Sequence, residues 1–293
     1  MKARHKRISL FSIFNYTFFV IVSLLMVFPL WNVVVISFTD YQEYVANPLM
    51  LFPENISLEA YRYIFANNDL LLSLRVTVTI TLIGTLGSMI CSVTGAYALS
   101  KRRMPGRNIF LTLILVTMFF NGGIVPNFLL IKDLGIYDTI WSMILPTMIN
   151  AWYLIIMKNY FTGLPEALEE SARIDGANDI KILFQIILPI SMPIITTFTL
   201  FYGVDRWNEW WNAMMYINDT RKYPLQLLLR NLIVKNFSSA SMATAYAQDS
   251  ADFVAKENIK MATAVVAIVP ITLVYPFLQK YFAKGVMVGA IKS

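Results

Sequence analysis

The chain is poor in charge, and that scarcity decides its class. Charged residues fill 14% of its 293 positions and hydrophobic residues 57%, whereas soluble domains carry about 25% charged residues. A buried soluble core does not explain long windows with no charge at all. Those windows read as membrane spans. There is one cysteine, Cys91, within an apolar stretch, so no disulfide forms inside the chain and no cysteine-built metal site is possible. The one histidine, His5, sits in a basic N-terminal tail and reads as a solvated residue. The phosphate-cradling pattern G-x-x-x-x-G-K-[ST] is missing, as are His-Glu-x-x-His, G-x-S-x-G and any Asp-rich cluster. The sequence predicts no catalytic residue, no metal site and no cofactor of its own. If the chain takes part in an energy-driven process, the energy has to come from another subunit.

Acids are also scarce where an ion-coupled carrier needs them, near the bilayer midplane. Arg75 and the group Asp205, Arg206 and Glu209 are predicted at the outer ends of their helices. Backbone carbonyls can bind sodium, so a stand-alone secondary carrier or channel stays open as an alternative. A membrane enzyme would need an acid, histidine or metal cluster that the sequence does not offer.

What is present is a series of apolar stretches, each near the roughly 20 residues that a spanning helix needs. Six qualify: Phe11 to Ser37, Leu71 to Leu99, Ile109 to Ile131, Thr139 to Met157, Ile186 to Val204 and Met261 to Phe282. The first is far longer than the apolar core of a signal peptide and reads as an uncleaved span. The net charge of +6 comes from short basic clusters beside these spans, not from a groove interleaved with aromatics. That excludes a nucleic-acid partner and suits a positive-inside bias. Lys101, Arg102, Arg103 and Arg107 form one cluster without acids, and Lys280, Lys284 and Lys292 another. The loop from Thr39 to Leu70 carries Asp40, Glu43, Glu54, Glu59 and Asp69 against Arg62 alone. The bias puts both termini in the cytoplasm. The prediction is an all-α membrane protein with residues 1–70 as tail, first span and first outer loop, and 71–293 as a five-span core. Within that core, 158–187 is a cytoplasmic loop and 205–260 a long, polar outer loop.

Proline and glycine interrupt several spans, including Gly122, Gly123, Pro126 and Pro146. They read either as kinks or, around Asn121 to Asn127, as a broken helix beside a substrate path.

The loop 158–187 has structure written into it. Pro165 suits a first helical position, with Glu166, Glu169 and Glu170 in the first turns, near the positive end of the helix dipole. Leu164, Leu168 and Ala172 share a face. Gly176 after Asp175 marks a stop. Asp179 opens a second short helix whose Ile180, Phe184 and Ile187 are predicted to share a face. The pattern fits an amphipathic hairpin packed under the bundle and a docking surface equally well.

The run Glu170-Ser171-Ala172, three residues, Gly176, nine residues, Ile186, one residue, Leu188-Pro189 resembles the E-A-A-x3-G-x9-I-x-L-P signature of permease subunits of binding-protein-dependent ABC importers. Ser171 stands where the signature has Ala, a small-for-small exchange. Ala96 to Ser100, Pro126 to Asp138, Trp207-Asn208-Glu209-Trp210-Trp211 and Tyr275 to Gly289 are similar to the carbohydrate, maltose-permease-like branch. The resemblance implies the type I importer permease fold in a bacterial inner membrane. It implies a second, unlike permease subunit, a dimer of cytoplasmic ATPases that binds the ATP and Mg, and an extracytoplasmic binding protein. Sugars or oligosaccharides are the implied substrate, uronate-containing ones such as alginate among them, with other solutes as the alternative. It also implies that Glu169, Glu170, Ser171, Ala172, Asp175 and Gly176 seat in the ATPase, that Lys284 to Ser293 adds a second contact, and that the long outer loop reaches the binding protein. Polar and aromatic residues within spans, Asn121, Asn127, Asn150, Trp152, Tyr153, Tyr202 and Asn208, are candidates to line the substrate path, or else to serve helix packing. Membrane lipid surrounds the rest.

Overall fold

The computed structural model describes residues 10–66, 68–242, 257–273 and 276. The basic N-terminal tail, most of the stretch Ser238 to Asp252 and the C-terminal tail from Lys284 lie outside the described residues. So does most of the C-terminal half of the sixth predicted span. The described chain is helical, with one isolated antiparallel bridge, Thr39 to Ile56. Its contacts divide into two units, residues 1–68 with 231–268 and residues 69–230 with 269–293.

In the first unit, α1 (Leu10–Ser37) is followed by α2 (Tyr41–Ala46) and α3 (Glu59–Ala66). Asp40 caps α2 by accepting from the Gln42 N–H at 3.2 Å. Glu43 then anchors the outer loop, its carboxylate accepting from the backbone N–H of Glu54 at 2.5 Å and of Asn55 at 3.0 Å. Asn258, on a helix over 257–273, donates to the Thr39 carbonyl at 2.9 Å.

The second unit is built on α4 (Asn68–Ser100). Then come α5 (Arg107–Phe119), α6 (Ile124–Asp133), the short α7 (Trp141–Ile144) with a 3₁₀ turn over Leu145–Thr147, and α8 (Ala151–Thr162). The segment predicted as a cytoplasmic loop folds as α9 (Ala167–Ile174), α10 (Asp179–Ile182), a π turn over Leu183–Ile187 and α11 (Leu188–Ile190). Helices α12 (Met192–Trp207), α13 (Trp211–Tyr216) and α14 (Leu225–Met242) follow. The main core joins the end of α4 to α8, α12 and the α9–α11 segment, through Ala96, Met157, Ile182, Ile187 and Tyr202. A smaller cluster joins Ile80, Met143, Ile144, Ala213 and Leu227.

Among the described residues two helices, α1 and α4, are each long and apolar enough to cross a membrane, and up to four spans result if each bent pair counts as one. The third predicted span is α5 and α6 meeting at 120°. Gly123, at φ 87°, caps α6 in a conformation that side chains disfavour. The helix is therefore broken between Phe119 and Ile124, within the region where the sequence suggested either kinks or a break. The fourth predicted span, Thr139 to Met157, is not one continuous helix. Pro146 has no N–H to continue α7. Asn150 starts α8 afresh, its Oδ1 accepting from the N–H groups of Trp152 and Tyr153 at 3.0 and 3.2 Å. The fifth bends by 88° between α11 and α12. The segment predicted as a long outer loop, 205–260, contains α13 and α14.

Candidate functional site

Helix α9 starts at Ala167, two residues later than predicted, with Pro165 ahead of it and Glu166 at its cap. It ends as the sequence implies. Gly176 sits at φ 78°. Its N–H donates to the Arg173 carbonyl at 3.0 Å, and the Ala177 N–H donates to Ala172 at 2.9 Å. These are the two bonds of a Schellman stop. A Cβ at Gly176 would meet nothing within 4 Å, so the backbone angle alone calls for glycine there. Asn178 caps α10, accepting from the Lys181 N–H at 2.8 Å.

Burial divides the predicted ATPase seat. Ala172 is buried in the core with Ile182, Leu183 and Ile187. Glu170, Ser171, Asp175 and Gly176 are exposed. Ile174, Ile180 and Phe184 of the same hairpin are also exposed, at 86%, 69% and 59%. This corrects the predicted face of Ile180, Phe184 and Ile187, because only Ile187 turns inward. The π turn inserts one extra residue into the winding, so the inward pair becomes Ile182 and Ile187, five apart.

Glu169 turns toward the bundle, its side chain 17% exposed. Its carboxylate pairs with the Lys101 ammonium at the end of α4. That ammonium lies 3.8 Å from the centre of the Tyr97 ring. Arg173 follows at 3.9 Å from Glu169 and pairs with Asp179 at 2.9 Å. The hydrogen bond that Arg173 donates to the Asp179 carboxylate raises the Arg173 pKa above its usual range. A cavity of about 510 Å³ lies beside this chain of charges, between the basic Lys101 to Arg103 loop and Glu166, Glu169 and Glu170.

The path candidates fall into three places. Asn150, Tyr153 and Tyr202 come together. The Tyr202 hydroxyl receives the Asn150 N–H at 3.0 Å and bonds Ser92 Oγ at 2.7 Å. The Tyr153 ring lies 5.0 Å from that of Tyr202, and its hydroxyl donates to Asp205 Oδ2 at 3.0 Å. Trp152 stands beside them, 54% exposed. Asn121 and Asn127 meet at the α5–α6 bend, where Asn121 Oδ1 accepts from the Gly123 N–H at 2.9 Å. Asn208 stands apart, accepting from Gln226 Nε2 at 3.3 Å.

Arg206 falls near the end of its helix as expected, but its role was missed by sequence reasoning. Its Cα is near the end of α12, but the side chain is buried, 2% exposed. Nη1 donates to the Met143 carbonyl at 2.9 Å and to Thr147 Oγ1 at 2.5 Å. Nη2 donates to the Thr147 carbonyl at 2.7 Å and to Ser88 Oγ at 3.2 Å. These carbonyls border the break between α7 and α8, where helical N–H partners are lost. The guanidinium supplies donors in their place. Gly84 makes the room: a Cβ there would lie 3.0 Å from both Cδ and Nε of Arg206. Arg206 and Tyr202, one turn apart on α12, thus hold the break against Ser88 and Ser92, one turn apart on α4. The signal available in the sequence was the small-residue spacing Gly84, Ser88, Ser92.

Comparison with known proteins agrees with this architecture. A permease of Bacillus subtilis named for polygalacturonan/rhamnogalacturonan transport, YtcP, is 45% identical over 97% of this chain and 99% of its own. The LplC protein of the same organism is 41% identical over 97% of this chain and 95% of its own. A chain from the crystal structure of a bacterial ABC transporter involved in importing the acidic polysaccharide alginate superposes with a TM-score of 0.84 at 33% identity. That match covers 96% of this chain and 99% of the other. The family model described as the inner membrane component of binding-protein-dependent transport systems matches residues 87–288. On these matches the chain belongs to the binding-protein-dependent transport system inner membrane component family.

Proposed function

We propose that this chain is one of two unlike permease subunits in an ATP-driven importer of oligosaccharides, acidic ones included, and that an ATPase dimer drives it through the loop 165–189. In this reading six spans cross the bacterial inner membrane with both termini in the cytoplasm, and a binding protein delivers the sugar from outside. ATP and Mg reside in the ATPase. One observation carries the reading: the first arm of the hairpin ends on a Schellman stop, and the hairpin exposes Ile174, Ile180 and Phe184 as well as Glu170, Ser171, Asp175 and Gly176. Large apolar side chains left exposed on a short segment rich in charge suit a surface that another protein covers. The opposite face, through Ala172 and Ile182, is sealed into the core, so a push on the hairpin reaches the spans.

The names of the relatives supply the substrate class. Tyr153, Tyr202, Trp152 and Asn150 are suited to sugars, since aromatic faces cover C–H surfaces and amides bond hydroxyls. Asn121, Asn127 and Asn208 are kept as outlying positions of the same path.

The test is purification of the intact complex from membranes, followed by reconstitution in liposomes. Co-purification of an ATPase and a second permease is expected. ATP-dependent uptake of labelled oligogalacturonides, requiring the binding protein, is expected as well. Uptake by this chain alone under an ion gradient would contradict the reading.

A further inference from the structure

Within that coupling reading, we infer that Glu169 is a transmission strut inside this chain and not a contact to the ATPase. Three observations carry this. First, Glu169 faces inward while its neighbour Glu170 is exposed. Second, its partner Lys101 directly follows α4, a 33-residue helix. Lys101 is itself held over the Tyr97 ring, whose edge contact to Phe161 on α8 has centroids 6.4 Å apart. Third, the same carboxylate is joined through Arg173 to Asp179 on the second arm of the hairpin. The ionic chain therefore runs from α10 through α9 to α4.

The physical consequence is directional. Ile182, Leu183 and Ile187 anchor the second arm of the hairpin in the core, whereas Ala172 is the one buried residue of α9, so α9 needs a further tie to the spans. An ion pair with side chains 22% and 17% exposed is screened less than a surface pair. It also fixes a distance, so displacement of α9 moves the end of α4. α4 carries Ser88 and Ser92, which bond Arg206 and Tyr202. Motion entering at Glu169 thus reaches the α7–α8 break and the Tyr153 group without passing through the long bend at 190–192.

The experiment uses the reconstituted transporter with its binding protein. Glu169→Gln and Lys101→Met are each expected to keep the ATPase in the purified complex and to keep binding-protein-stimulated ATP hydrolysis. Uptake per ATP hydrolysed is expected to fall about tenfold, the size of one lost partly buried pair. The exchange Lys101→Glu with Glu169→Lys is expected to recover at least about half of the lost coupling. Loss of the ATPase from the Glu169→Gln complex, with Lys101→Met unaffected, would overturn the proposal and make Glu169 a docking residue. Wild-type coupling in both single variants would overturn it too. Failure of the wild-type chain to bring down any ATPase would strike the proposed function instead.

Discussion

At the scale of single residues, two glycines carry requirements that can be tested separately. Gly176 adopts a left-handed angle in open space. Gly176→Ala should cost about 1–2 kcal/mol through the backbone alone. Faster protease cleavage of the hairpin, with the spans intact, is the expected readout. Gly84 is the opposite case: its φ is ordinary, and clearance decides. Gly84→Ala pushes on an Arg206 that four hydrogen bonds hold in place, and should cost about 1–3 kcal/mol. Arg206→Met orphans the Met143 and Thr147 carbonyls, each worth about 1–3 kcal/mol. In the Arg206→Met background, Gly84→Ala should cost less than about 0.5 kcal/mol. Thermal unfolding of the four proteins in detergent checks this; fully additive losses would contradict the shared contact. The glycine stop at 176 was legible because its signal is local. Arg206 was not, because sequence position locates a Cα, while an arginine side chain can turn back along its helix to reach Ser88.

At the scale of elements, the turn after α6 is pinned to the segment after α13 by one carboxylate. Asp138, at φ 57°, accepts from the N–H groups of Asn218 and Asp219 at 3.0 and 3.1 Å, and Lys222 Nζ lies 3.2 Å from Oδ2. The Asp219 N–H, joined by that of Asn218 and by the Lys222 ammonium, holds the Asp138 carboxyl below the usual carboxylate range. A depressed folded value means the contact stabilises above the unfolded pKa of about 3.9 and is lost as pH falls through the lower folded value. The stability of this junction should therefore be flat from about pH 5 to pH 8 and decline only in stronger acid. Asp138→Asn, which tolerates the left-handed angle and can still accept from the two N–H groups, should weaken the junction less than Asp138→Ala. Hydrogen exchange at residues 216–222 reports both. The breaks in the third and fourth predicted spans were partly legible, since Gly122, Gly123, Pro126 and Pro146 are breakers on the page. The π turn at 183–187 was not. It has no residue signature, and packing of Ile182 and Ile187 into the core selects it. That is why the predicted apolar face of the second arm was rotated away from the observed one.

At the scale of the whole molecule, composition and charge gave the membrane class, and the spacing around Gly176 gave the family. Periodicity could not separate a straight span from one folded back at 120°, because both bury the same apolar count. Nor could it show which carboxylate of the Glu169-Glu170 pair faces inward; that depends on Lys101, which lies 68 positions earlier in the chain. The central claim is that the exposed face of the hairpin is where an ATPase grips this chain. Cys91 is the only cysteine, so a Cys91→Ser background allows single cysteines to be placed at will. The most direct measurement places them at Ser171 and Asp175 in the assembled transporter and follows short-arm crosslinking. The account predicts crosslinks to the ATPase from both positions, changing in yield between ATP-bound and ATP-free states. No crosslink from either position, or labelling of both by an impermeant reagent added from outside, would contradict it.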